Sequence, residues 1–213
     1  MEMKTRTTYL DFFHAFSKLG CFSTNQIRLW NGDFDRNNLG RWVDEGKLIR
    51  LRQGYYAFPD SKGEIDAPFS FAGKIYPPSY ISLHSALSFY GMIPEGIVQI
   101  TSVTARKTAY FENEFGQFSY HSVKPELMFG YTKDISRINP YLSIYLAFPE
   151  KALLDLLYLF PQYQSENDLR ELRLDVDFMQ EEFDRARSEG YVTRFRSKSL
   201  EKRMGLLLKG VLR

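Results

Sequence analysis

The stretch that most constrains this chain covers residues 23–58, STNQIRLWNGDFDRNNLGRWVDEGKLIRLRQGYYAF, where two short helical patterns are followed at once by two β-prone runs. Ser23 can accept the amide of Gln26 while Gln26 reaches back to it, a capping box that starts the first helix. Asn31-Gly32 is a turn signal that closes it. Asp35 is placed to cap a second helix running to about Glu45, with Leu39, Trp42 and Val43 at i, i+3 and i+4 as its buried stripe. Gly46 is its natural stop. Residues 47–51 and 55–58 then read as strands joined by Arg52-Gln53-Gly54, where Gly54 suits a tight hairpin turn.

This order is that of a winged helix-turn-helix, and the side chains left over from the core agree with it. Arg36, Asn37, Asn38 and Arg41 lie on the second helix away from its stripe. Arginine matches the O6 and N7 edge of guanine and asparagine the N6 and N7 edge of adenine, so these types at the start of a recognition helix suit major-groove readout. Arg50, Arg52 and Gln53 fall at or near the hairpin tip, within reach of a phosphate backbone or a minor groove. An ordinary solvated helix face has the same composition; the basic hairpin that follows directly is what favours double-stranded DNA as the partner.

Residues 7–19 carry Tyr9, Phe12, Phe13, Phe16 and Leu19 on one face and predict a helix packed under the other two. The polar connection Pro59-Asp60-Ser61-Lys62-Gly63 sets the expected boundary, with a DNA-binding domain over 1–58 and a second domain over 67–213. In the second domain a helix over 68–75 must end at Pro77-Pro78, and Ser82 is placed to cap another that runs to Tyr90. Strand-like runs follow at 97–103, 117–123 and 142–147. Pro149 and Glu150 open an apolar helix ended by Pro161. Ser165 and Asp175 can cap two more helices, the second stopping at Gly190, before a basic amphipathic helix over 199–212 with Leu200, Met204, Leu207, Leu208 and Val211 apolar. The strands cluster without intervening helices, which argues against a doubly wound sheet. The expected fold class is α+β: an N-terminal winged helix-turn-helix, then a larger α+β domain with a mostly antiparallel sheet and a helical C-terminus.

A chain of 213 residues has room for one large or two small domains with real cores, and an aromatic fraction of 16% predicts that rings fill them. The net charge of +2 hides an uneven distribution. Residues 1–58 hold nine basic and six acidic side chains, residues 149–190 five and eleven, and residues 191–213 seven and one. Basic ends suit an anionic partner. The lone Cys21 rules out an internal disulfide and a cysteine-cluster zinc site, and three histidines are thin material for a transition metal. No metal or cofactor is expected. The absence of a membrane-spanning apolar run and of a signal-peptide core makes a cytoplasmic location without membrane contact the expectation. Ser82 and His84 do not face each other on a helix, no nucleotide-binding or zinc-protease motif is present, and Glu112, Glu114 and Glu126 lack a nuclease-like arrangement. No catalytic residue is assigned, and the expected protein is not an enzyme.

Three stretches in succession carry a family likeness: Gly46-Lys47-Leu48-Ile49-Arg50-Leu51-Arg52-Gln53-Gly54-Tyr55-Tyr56, Tyr80-Ile81-Ser82-Leu83-His84-Ser85-Ala86-Leu87, and Ala147-Phe148-Pro149-Glu150-Lys151-Ala152-Leu153-Leu154-Asp155. Together they resemble the antitoxins of the bacterial abortive-infection E systems, the type IV toxin-antitoxin pairs, over most of residues 22–160. The resemblance implies a repressor that binds its own promoter, at inverted repeats, through the winged helix. It also implies that the rest of the chain neutralises a nucleotidyltransferase-like toxin encoded nearby, by a functional contact that need not be a stable complex. Arg36, Arg41, Arg50 and Arg52 would take the family's basic DNA-contacting role; no individual antitoxic residue is carried over.

Two other readings stay open. One is a stand-alone winged-helix regulator whose aromatic segment 76–90 lines a small-ligand pocket. The other is a protein-interaction module that makes no DNA contact. The basic final helix either packs on the acidic helices of its own chain or offers a second surface to nucleic acid or toxin. Monomer and dimer are equally compatible with the sequence.

Overall fold

The computed structural model describes residues 7–135 and 143–211. Thr8 exchanges hydrogen bonds with Asp11 to start α1 (Tyr9–Phe16), which tightens into a 3-10 turn and ends at Leu19, short of the continuous helix expected. The strand β1 (Cys21–Ser23) leads into α2 (Thr24–Trp30), where the Ser23 amide donates to Gln26 Oε1 at 2.8 Å and the Gln26 amide to Ser23 Oγ at 3.3 Å. The helix α3 (Asn37–Asp44) has Arg36 at its N-cap without a side-chain cap, one residue later than expected, and Asp35 Oδ1 accepts the Asn37 amide at 3.0 Å just ahead of it. Gly46, at φ +69°, stops it, and the Trp42 carbonyl takes the amides of Lys47 and Leu48 at 2.8 and 3.0 Å. β2 (Ile49–Arg52) and β3 (Tyr55–Ala57) form a hairpin, and the three strands pair antiparallel in the order β1-β3-β2.

The two faces of this sheet are both covered. One closes on α1, α2 and α3 through Phe22 and Tyr56, in a core with Phe12, Phe16, Phe34 and Trp42. The other presents Cys21, Ile49, Leu51 and Ala57 to the core of the C-terminal region. Burial there pushes the Cys21 thiol up to about 12. That rules out thiolate chemistry at ordinary pH.

The C-terminal region follows the order α4 (Ala67–Ile75), β4 (Ser79–Ile81), α5 (Leu83–Phe89), β5 (Gln99–Thr104), β6 (Ala109–Asn113), β7 (Gly116–Ser122), β8 (Tyr131–Ile135), β9 (Ser143–Ala147) and α6 (Pro149–Leu159). Its six strands run β6-β7-β5-β4-β9-β8, antiparallel at three joins and parallel at β5–β7 and β4–β9. The sheet is therefore mixed. Three strands are additional to those expected: β4 is only three residues long, and β6 and β8 are edges. Edge strands carry polar residues and show no continuous apolar run.

The helices α7 (Glu166–Arg170), α8 (Val176–Glu181), α9 (Arg185–Phe195) and α10 (Lys198–Val211) complete the order. Gly190 lies inside α9 and does not end a helix. The break falls earlier, because Asp184 Oδ1 accepts the Arg187 amide and Glu150 Oε1 the Asp184 amide, each at 2.9 Å. α10 buries Leu200, Met204 and Leu207 in the shared core and packs on α6, α7 and α9. Residue 142, where the third predicted strand begins, and the side chain of Val211 lie outside the described residues. Among the described residues no helix is long and apolar enough to cross a membrane.

Candidate nucleic-acid interface

The α3 face divides into a display layer and a support. Arg36, Asn37 and Arg41 are exposed, whereas Asn38 is only 6% exposed. Asn38 Oδ1 accepts from the Arg41 guanidinium at 2.9 Å, and Glu45 lies 3.7 Å from Arg41 Nε on the next turn. Arg41 is thereby held in one direction, with guanidinium donors remaining for a partner. Asn38 therefore departs from the base-reading role expected of it: Leu39 and Trp42 are buried beside it, and its amide positions Arg41. Asn37 and Arg41, four residues apart, share one helix face. Arg36 lines a shallow recess of about 60 Å³ between α2 and α3 together with Arg28, Thr24 and Asn31. Arg28 was not singled out from the sequence; it is exposed on α2 one turn after Thr24, next to buried Ile27, which lines the same recess.

The hairpin separates Arg50 from Arg52. Simple alternation puts both on one face, but the register slips between them: Arg50 pairs with Tyr56 and Arg52 with Tyr55. A one-residue slip sends the next side chain to the opposite face. Arg50 stays exposed, with its guanidinium 5.9 Å from the Tyr56 ring centroid. Arg52 turns toward the C-terminal region, donates to the Ile75 carbonyl at 2.7 Å, and lies 5.5 Å from the Tyr76 ring and 4.9 Å from the Phe111 ring. Arg52 thus ties the hairpin to α4 and β6 and does not extend toward a phosphate. Gln53 is exposed at the turn. The turn itself is short and anchored, since the Gly54 carbonyl accepts the Thr24 amide at 2.9 Å.

The other two stretches that carried the family likeness meet in the interior. Lys151 and Asp155, one turn apart on α6, are completely buried and paired. Asp155 Oδ2 also accepts from the Tyr80 hydroxyl at 2.9 Å and the Ser82 hydroxyl at 2.8 Å, and the Lys151 ammonium donates to Tyr80 Oη at 2.8 Å. Loss of water pushes the Lys151 pKa down and the Asp155 pKa up, while their pairing opposes both shifts. The Ser82 hydroxyl is spent on Asp155, so α5 has no side-chain cap, contrary to expectation. The aromatic segment 76–90 does not leave a pocket open at Tyr76 and Tyr80: both rings are buried, and the Tyr76 hydroxyl donates to the Lys107 carbonyl at 2.9 Å.

His84 on α5 shares the Phe160 ring with half-buried His121 at centroid distances of 6.0 and 5.4 Å. Among the described residues, no group of three or more His, Cys, Asp or Glu side chains is placed to hold a metal ion. No protein-family model matches the chain, and no curated protein matches it.

Proposed function

We propose that this chain is a DNA-binding transcriptional repressor and antitoxin, with residues 7–58 acting as a winged helix-turn-helix. The observation that carries the reading is the exposed set Arg36, Asn37 and Arg41 on α3, with Arg41 held by the buried amide of Asn38. In this mechanism α3 enters a major groove, and Asn37 and Arg41 approach base edges. Arg28 and Arg36 at the α2–α3 recess, and Arg50 on β2, neutralise phosphates. Gln53 approaches the backbone from the hairpin turn. Asn38 and Arg52 act from within by holding the surface in shape. The protein is cytoplasmic and non-catalytic in this reading, it binds its own promoter, and its C-terminal region neutralises a nucleotidyltransferase-like toxin encoded nearby.

The test is a mobility-shift titration of the full chain against the DNA upstream of its own gene, with a scrambled duplex as competitor. Sequence-preferring binding is expected. Arg41→Ala should lose about 1–3 kcal/mol of discrimination at one base pair, and Arg36→Ala should weaken all sequences alike and reduce the salt slope by about one unit. Wild-type binding no better than to the scrambled duplex overturns the reading and leaves an interaction module. The antitoxin half is tested separately by growth of cells expressing the neighbouring gene product, with and without this chain.

A further inference from the structure

The last turn of α9 and the loop after β7 enclose a cleft of about 690 Å³ that no part of the DNA-binding reading uses. Its walls carry Lys124, Arg194 and Arg196, with Glu126, Tyr158 and Thr193. Lys124, Arg194 and Arg196 are exposed, and none of them forms an ion pair within the described residues. Three cations against one carboxylate give the cleft a net positive lining, which favours an anion. The spacing of these residues in the chain hides this convergence, since some 70 residues separate Lys124 from Arg194.

Arg194 is held in position by an aromatic ring, and Arg196 occupies a costly backbone conformation. The Arg194 guanidinium lies over the Phe129 ring at 3.5 Å from its centroid, a stacking that fixes its plane and leaves its N–H donors unspent. Arg196 adopts the left-handed conformation, φ +50° and ψ +41°, which costs a residue with a β-carbon roughly 1–2 kcal/mol. A glycine would sit there at no cost; an arginine brings a charge to the cleft. The C-terminal end of α9 opposes an anion by about 0.3–1 kcal/mol at an exposed terminus. Three nearby full charges outweigh that.

The cleft also has an aromatic wall. Tyr158, half-buried, packs at 5.2 Å from the Phe195 ring, and both residues line the cleft. The volume falls within the range of about 300–1,000 Å³ common to small-molecule sites. A half-open cleft of this size has room for one nucleotide and is too short to track a duplex.

We propose that this cleft binds a nucleoside polyphosphate, with the phosphates on Lys124, Arg194 and Arg196 and the base against Tyr158. Glu126 at the same wall is an acceptor for a ribose hydroxyl or an exocyclic amine. The site is independent of the DNA-binding reading and stands or falls without it.

The experiment is isothermal titration calorimetry of the full chain with ATP, GTP, CTP and UTP in turn, with tripolyphosphate, and with a short single-stranded oligonucleotide and a duplex. At least one nucleotide should bind at one per chain and more tightly than tripolyphosphate. Lys124→Ala and Arg196→Gly should each weaken it about tenfold, the worth of one charge-assisted hydrogen bond. Arg196→Gly should melt no lower than wild type because it relieves the left-handed strain, so lost binding in that variant cannot be laid to misfolding. Absence of nucleotide binding, equal affinity for tripolyphosphate, binding of the oligonucleotides alone, or wild-type affinity in a Lys124→Ala/Arg196→Gly double variant overturns the proposal.

Discussion

The two hydrophobic clusters on either side of the small sheet are stabilised in different ways. On the N-terminal side, Phe12 alone lies between 4.8 and 6.1 Å from six other rings, and among the described residues no charged side chain is buried with them. On the C-terminal side, the core encloses a lysine, an aspartate, a tyrosine hydroxyl and a serine hydroxyl that satisfy one another. The first core is specified by shape, so its weak point is volume. The second is specified by pairing, so its weak point is a lost partner. Between them runs a sheet that serves both, which makes the difference measurable in a single chain.

The largest effects come from attacking each core by its own rule. Phe12→Ala should cost about 3–5 kcal/mol through the cavity it leaves. Lys151→Met should cost a similar 3–5 kcal/mol, because Asp155 is left buried with an unpaired charge. Second substitutions then separate the two. Adding Trp42→Ala to Phe12→Ala should deepen the loss, whereas adding Asp155→Leu to Lys151→Met should return most of it, short of the hydroxyls of Tyr80 and Ser82 left without an acceptor. Urea unfolding of the four variants checks this; a Lys151→Met/Asp155→Leu protein no more stable than Lys151→Met would remove the distinction between the cores.

Arg50 and Arg52 carry the same comparison to the seam, with smaller effects. Arg52→Ala removes a charged hydrogen bond to the Ile75 carbonyl and the stacking on Tyr76 and Phe111, and should lower stability by about 1.5–3 kcal/mol. Its salt slope on DNA should equal that of wild type. Arg50→Ala should leave stability within about 0.5 kcal/mol, as surface changes do. It should instead reduce the DNA salt slope by about one unit. Thermal melts and salt titrations of the two variants are the measurements, and an interchange of the two outcomes would show that Arg52 reaches DNA after all.

The fate of Arg52 shows where sequence reasoning stops. Local signals were legible: the Ser23–Gln26 capping box, the Asp35 bond to the start of α3, Gly46 at positive φ and the Gly54 turn all stand where residue chemistry puts them. These are decided within a few residues. The bulge at Leu51 carries no glycine or proline to announce it, so alternation puts Arg50 and Arg52 together when the register parts them. Asn38 looked like a base reader because its burial depends on how α3 packs, and Arg28 was overlooked because its neighbour Arg36 arrives from the next helix. Likewise nothing local in the sequence marks Lys151 and Asp155 as a buried pair, since Tyr80 and Ser82 come from a strand and turn some seventy residues earlier.

The smallest expected effect is one of pH, and it falls on the C-terminal side. His121 is half-buried on β7 against Phe160, and burial together with the nearby His84 charge lowers its pKa from the ordinary 6.5. Burial lowers the His84 pKa as well, with Glu95 opposing the shift. A histidine whose pKa is depressed by folding is protonated more readily in the unfolded chain, so the unfolded state takes up more protons just below pH 6.5. The stability contribution is therefore fully present above that pH and is lost as pH falls through the depressed native value. Both tryptophans, Trp30 and Trp42, lie in the N-terminal region and pack with its rings, so their fluorescence reports that half, while far-UV circular dichroism reports the whole chain. On lowering pH from 7.5 to 5, the dichroism midpoint in urea should fall ahead of the fluorescence midpoint, and His121→Gln should narrow the gap. Midpoints that stay together at every pH, or a gap that His121→Gln leaves unchanged, would place the acid-sensitive group elsewhere and make the two cores a single cooperative unit.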